Sequence, residues 1–279
     1  MFGAVIGSIV GSRFHYKNHR SKEFELFSPA SFVTDDCIMT FAVAKAIMRT
    51  EKLLGAQEQG ETFSNEYCEK LKELSLKHMR EIGRKYPDCG YGNKLAHWFT
   101  GKIPKPHKSF SSGAAMRVTP AGYAAKTAYK AIQLADLVTR IKYDNIADGT
   151  IGATSVAVAI FLARHGAQMS DIRNRMSDYY DLDFMIDDIR DDYSFDETCQ
   201  GTVPQAINAF LESESFEDAI RIAVSIGGDS DTIAAITGAI AEAFYGIPED
   251  IRKTALTYID NDLWGIYADW NIFFLGHNI

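Results

Sequence analysis

The strongest constraint on the fold is a helix without a polar side. Residues 233–244 are apolar on nearly every face, with only Thr237 and Glu242 as exceptions. A helix that is hydrophobic all round belongs in a protein interior, so its first turn is predicted to lie deep. Directly before it stand Gly227, Gly228, Asp229, Ser230, Asp231 and Thr232. Two carboxylates in such a place are costly unless a cation meets them. The free N–H groups and the dipole of the helix start supply part of that compensation. A metal ion would supply far more.

A second stretch repeats the design. Thr34, Asp35 and Asp36 open residues 37–48, where Ile38, Met39, Phe41, Ala42, Val43, Ala44, Ala46 and Ile47 leave almost no polar face. Together the two stretches offer four carboxylates and two threonine hydroxyls. These are hard oxygen donors, suited to Mg²⁺, Mn²⁺ or Ca²⁺ and poorly suited to zinc. The sequence therefore predicts that both starts converge on one site, holding two metal ions. The competing explanation is local, since Asp and Thr are common N-caps and Gly-Gly-Asp is ordinary turn chemistry. Capping accounts for either cluster alone. The recurrence of an Asp pair with Thr before two all-apolar helices favours a shared site.

Around these stretches the chain reads as helices. Gly3, Gly7 and Gly11 fall on one helical face, where missing side chains let a neighbouring helix approach closely. The apolar run is too short to span a membrane. Residues 13–29 form a long polar connection, a type of loop that is often functional. Residues 64–85 are amphipathic, with Tyr67, Leu71, Leu74, Leu76, Met79 and Ile82 inward. Further helices are predicted over 123–139, 151–165, 170–179, 203–211, 216–226 and 249–259. Ser215 and Asp218 suggest a variant capping box, and Gly166 and Gly246 are helix stops. Residues 51–60 read as a surface segment and 102–108, with Pro104 and Pro106, as an extended loop. The aromatic tail 263–279 is expected to pack back on the body. Nothing has the alternation of a strand series. The expected class is all-α, one domain over residues 1–279, with largely antiparallel neighbours.

A formal charge of −8 argues against a nucleic-acid surface or an anionic-membrane surface, both of which need basic patches. Any phosphate-bearing ligand must then be held locally. Ser111, Ser112, Gly113, Ala114, Ala115, Met116 and Arg117 form a small-residue loop that could cradle phosphates with its backbone N–H groups. Cys37, Cys68, Cys89 and Cys199 make no CxxC pair. They read as reduced thiols of a cytoplasmic protein, and an effector secreted into a host cytosol would look the same. Residues 1–10 lack the basic start of a signal peptide.

Several separated motifs resemble, in order, those of the ADP-ribosylglycohydrolases. They are residues 3–7, residues 32–36, the run 86–92 from Tyr86 to Gly92, residues 113–118, residues 199–204 and residues 227–232. The resemblance implies a compact all-helical fold with two Mg²⁺ or Mn²⁺ ions in a cleft that binds ADP-ribose. It implies cleavage at ribose C1″ of an ADP-ribosylated protein side chain, commonly arginine. On this chain Thr34, Asp35, Asp36, Asp229, Asp231 and Thr232 match the metal ligands. The loop 111–117 matches the diphosphate contact, and Tyr91 and Gly92 match the cleft lining. A ribose diol suits a clamp of two hard cations, and Asp35, Asp36 or Asp229 could take a proton from water. A monomer is the default expectation.

The chain also departs from the pattern. Where relatives carry an Asp it has Ser8, and where they carry a Glu near the scissile bond it has His15. His15, Glu23 and Glu25 are the candidates to replace that Glu. Residues 139–149 lack the histidines of the related motif, leaving Arg140 or Lys142 as phosphate contacts or as ordinary helix-end cations.

Overall fold

The computed structural model describes residues 1–56, 60–92, 95–96, 98, 111–140 and 147–276. Its helices are α1 (Phe2–Ser12), α2 (Asp35–Leu54), α3 (Asn65–Gly83), α4 (Thr119–Ala124), α5 (Ala128–Thr139), α6 (Ala147–Arg164) and α7 (Met169–Met176). They continue with α8 (Ile186–Ile189), α9 (Cys199–Leu211), α10 (Phe216–Ser225), α11 (Ser230–Tyr245), α12 (Glu249–Leu256) and α13 (Asn261–Trp270). Among the described residues there is no strand, only an isolated bridge between Ser111 and Thr198. No described helix is long and apolar enough to cross a membrane.

The apolar helix predicted to be central is α11. Every residue from Ser230 to Ala241 is buried, as is every residue of α1. The glycine stripe explains how these two helices fit. A Cβ at Gly3 would lie 2.2 Å from the Gly238 carbonyl oxygen, one at Gly7 1.9 Å from that of Ala234, and one at Gly11 2.5 Å from that of Ser230. Steps of four along α1 meet steps of four back along α11, so the pair is antiparallel and in backbone contact. This register brings the end of α1 to the start of α11. The two polar residues within 233–244 are also accounted for: Glu242 accepts the Gly3 N–H at 2.8 Å, and Thr237 donates to the Ala206 carbonyl at 2.9 Å. Helices α2, α6, α9 and α10 pack around α11.

Some boundaries differ from the sequence expectation. The segment 123–139 is two helices, because Ala125 is extended and Thr127 caps α5 by accepting the Lys130 N–H at 3.1 Å. Helix α2 runs on to Leu54, through the start of the expected surface segment, and ends at Gly55 with φ +76°. The aromatic tail packs back as expected. Leu263, Ile266, Tyr267 and Trp270 are buried, and Tyr267 stacks on Phe2 at 4.4 Å. The proline loop 102–108 and Lys142 lie outside the described residues.

Candidate metal and ligand site

The start of α11 is shaped by two successive glycines. Gly227 and Gly228 have φ +78° and +63°, a left-handed corner that residues with a Cβ resist. Their bareness also admits two neighbours. A Cβ would lie 2.7 Å from Arg20 Nη1 at Gly227 and 2.4 Å from the Tyr193 ring at Gly228. The chain leaves this corner at Asp229, in the N-cap position of α11, yet the Asp229 side chain makes no capping bond. Thr34, in the same position on α2, makes none either.

Freed from capping, these side chains lie at one buried cluster. Thr232 donates to Asp36 Oδ1 at 3.3 Å, joining the two helix starts. The Thr34 and Ser8 hydroxyls each lie 3.2 Å from Asp36 Oδ2 and in hydrogen-bond contact with one another, so one of them can donate to the carboxylate while the other donates to its neighbour. Thr34, Asp36, Asp229, Asp231 and Thr232 are all less than 7% exposed, so water does little to relieve their charge. Asp35 is half-buried at the rim, with its N–H donated to the Cys89 carbonyl at 2.7 Å.

The electrostatics follow from that burial. Asp36 is pushed up to about 7, first by desolvation and then by the charge of Asp231, while the hydroxyls of Thr34, Ser8 and Thr232 pull it back. Asp229 is held well above the usual carboxylate range, first by burial and then by Asp231 and Asp36. A cluster of this kind favours a cation. The side chain nearest to that role is His15, whose Nδ1 lies 2.5 Å from Asp231 Oδ1 and 3.3 Å from Asp229 Oδ1. Burial acts to lower the His15 pKa, but the bond to Asp231 and the charges of Asp231 and Asp36 outweigh it, and the net shift is upward. His15, Asp229 and Asp231 present ligand atoms within 4.8 Å of one another. The donor set therefore fits a hard divalent ion: desolvated oxygens, mutually repelling, on two rigid helix starts.

The loop over 111–117 lies against the segment before α9. Ser112 donates its N–H to the Glu197 carbonyl at 2.8 Å, and Cys199 Sγ lies 3.5 Å from the Ser111 carbonyl. Thr40, one turn beyond Asp36 on α2, donates to the Met116 carbonyl at 3.3 Å. Ser111 turns inward to accept the Gly113 N–H at 3.1 Å. Arg117 is 1% exposed and donates to the Gly113 carbonyl, so it braces the loop from within. Ser112, Ala114, Ala115 and Met116 are buried, while Ser111 and Gly113 are partly open. Tyr91 is half-buried and Gly92 exposed. The Asp35 charge acts on the Tyr91 phenol, whose pKa is raised mainly by burial. Arg140 is engaged by Asp136 at 2.5 Å, the behaviour of a helix-end cation.

Sequence reasoning missed several residues that shape this site. In the sequence Ser8 stands out only as a departure, yet its hydroxyl is completely buried on Asp36. Asn18 accepts the Gly228 N–H at 3.1 Å, and Arg20 donates to the carbonyls of Ile226 and Tyr193. Tyr193 donates to the Gly201 carbonyl at 2.6 Å. Phe195 lies 5.3 Å from the His15 ring. The length of the polar 13–29 connection was the only available sign of the first group. The residues at 193–195 gave none.

A solved ADP-ribosylglycohydrolase-related protein complex contains a chain of the same fold, with TM-score 0.66 and 18% identity, over 98% of this chain and 95% of that one. An uncharacterized protein of Archaeoglobus fulgidus is 30% identical over 166 residues, which is 50% of this chain. The chain spans about half (52%) of that curated relative. The family description "ADP-ribosylglycohydrolase" matches residues 1–271, a range that includes both acidic helix starts and the loop between them. With a helical fold built around those starts and a match over almost its whole length, the chain belongs to the ADP-ribosylglycohydrolase family.

Proposed function

We propose that the protein is a metal-dependent hydrolase that removes ADP-ribose from a modified protein side chain, arginine foremost. The observation that carries this reading is the pair of acidic helix starts whose side chains leave their caps and meet in a buried cluster. Thr34, Asp35 and Asp36 on α2, with Asp229, Asp231 and Thr232 on α11, would hold two Mg²⁺ or Mn²⁺ ions. Bound there, such ions supply Lewis acidity toward the ribose oxygens and acidify water.

The protein's own groups do the rest. Thr232 and Asp36 tie α2 to α11, which fixes the relative position of the two donor sets. His15 is oriented through Nδ1 by Asp231. That leaves Nε2 as the nitrogen that exchanges a proton with substrate or water, replacing the carboxylate expected at this position. The 111–117 loop remains the candidate diphosphate contact, with Arg117 holding it in shape, although the Ser112, Gly113 and Met116 N–H groups are engaged within the fold rather than turned to a ligand.

The test is release of free ADP-ribose from ADP-ribosyl-arginine protein by metal-stripped enzyme supplied with Mg²⁺ or Mn²⁺. Release is expected, and it is lost in Asp229→Ala or Asp231→Ala. No release from arginine, serine or acyl conjugates by metal-loaded protein contradicts the proposal. The bond between His15 and Asp231, together with Ser8 at an expected acidic position, favours one alternative: a protein that binds ADP-ribose without cleaving it. Calorimetric binding of ADP-ribose with no product formed selects that alternative.

A further inference from the structure

Tyr16 breaks a local rule. It is a bulky residue in the left-handed region, φ +66°, and it is 75% exposed. A bulky side chain at positive φ is a true outlier, and such strain persists only where the surroundings enforce it. Here they do. Two residues on, Asn18 accepts the Gly228 N–H, and Arg20 then anchors on the Ile226 and Tyr193 carbonyls.

The strain sets a ring beside the acidic cluster. Tyr16 lies 3.9 Å from the His15 ring, edge-on at 87°, and 5.1 Å from Phe195 at 30°. Phe195 is itself 39% exposed. Single exposed aromatics need no explanation. This is a neighbouring pair, placed one imidazole away from Asp229 and Asp231. The charges of Asp229, Asp231, Glu197 and Asp35 all act on the Tyr16 phenol. Open π faces among carboxylates form an environment for a cation, since a ring face attracts positive charge. Two cations of the same loop are engaged elsewhere, Arg13 over the Phe14 ring and Arg20 on its two carbonyls.

We infer that Tyr16 and Phe195 form a platform for the planar guanidinium of the modified side chain, and so select a cationic leaving group over a neutral one. This rests on the function proposed above, because the leaving group must lie beside the cluster that holds the ribose. Neither ring is a catalytic residue. Each is a specificity contact on the departing side.

The test compares a guanidinium-linked ligand with ligands that lack the cation. The affinity for ADP-ribosyl-arginine peptide is measured in Tyr16→Ala, Phe195→Ala, Tyr16→Phe and wild type, as KM during turnover or by calorimetry if there is none. ADP-ribosyl-serine peptide and free ADP-ribose are measured alongside. Tyr16→Ala and Phe195→Ala are expected to weaken the arginine conjugate roughly tenfold. Affinity for the serine conjugate and for ADP-ribose should stay within about twofold, with Tyr16→Phe like wild type. Equal loss for all three ligands, or no loss for any, overturns the platform and leaves the proposed function standing. Absence of binding for all three ligands in wild type overturns both.

Discussion

At Ser64, Thr127, Thr198, Ser215 and Asp260 the side chain accepts the N–H three residues further on, at 3.0–3.2 Å. Thr34 and Asp229 occupy the same position on their helices and make no such bond. An N-cap contributes about 1 kcal/mol. Two helices therefore forgo it, and they do so where buried carboxylates add a larger cost of their own. Local stability accounts for the first set of helix starts. It cannot account for the second, whose side chains turn to each other and to His15. We propose that the contrast separates helix starts that serve the fold from those that serve a ligand.

The largest effect expected from breaking that contrast is at Asp231. Asp231→Asn should abolish divalent-ion binding by calorimetry and lower ADP-ribose release by at least about 100-fold, as for a lost metal ligand. A smaller effect comes from the packing that delivers α11 to the site. A methyl at Gly7 has only 1.9 Å to the Ala234 carbonyl, so Gly7→Ala should destabilise the protein by about 1–3 kcal/mol in urea unfolding.

The pH dependence is a gentler probe. The folded state raises Asp36 from 3.8 to about 7, so it binds a proton more tightly than the unfolded chain does. Its contribution is most favourable below the unfolded pKa and declines as pH rises through the folded one. The raised His15 pKa acts with the same sign at higher pH. Metal-free protein should therefore melt at lower temperature as pH rises from about 4 to 7, and Asp36→Asn should flatten that decline. Added Mg²⁺ should stabilise most at the high-pH end. Smallest of all, Ser215→Ala should cost about 1 kcal/mol of stability and leave ADP-ribose release unchanged. If Ser215→Ala and Asp231→Asn gave the same phenotype, the two kinds of helix start would not differ.

Much of this was legible in the sequence because it follows from periodicity. The apolar faces of α2 and α11, the glycine stripe of α1 and the acidic starts each lie within a single helix or at its start, where spacing determines direction. The break between α4 and α5 was missed because the Thr127 cap overrode a continuous helical pattern. Tyr16, Asn18 and Arg20 were missed for a different reason. Their roles depend on Gly227, Gly228 and Tyr193, which are far off in the chain (173 residues from Arg20 to Tyr193 and 210 from Asn18 to Gly228), and on backbone angles that composition does not reveal. Arg117 is legible in the sequence only as the end of a small-residue loop, and its burial on the Gly113 carbonyl depends on the fold.

The central claim is that α2 and α11 contribute to a single ion site. Chelator-stripped protein titrated with Mn²⁺, with bound ion followed by electron paramagnetic resonance, tests it directly in wild type, Asp36→Asn and Asp231→Asn. The account predicts saturable binding in wild type and its loss in both variants, though each alters only one helix. Absence of binding in folded wild-type protein, or a variant on either helix that binds as wild type does, would contradict it.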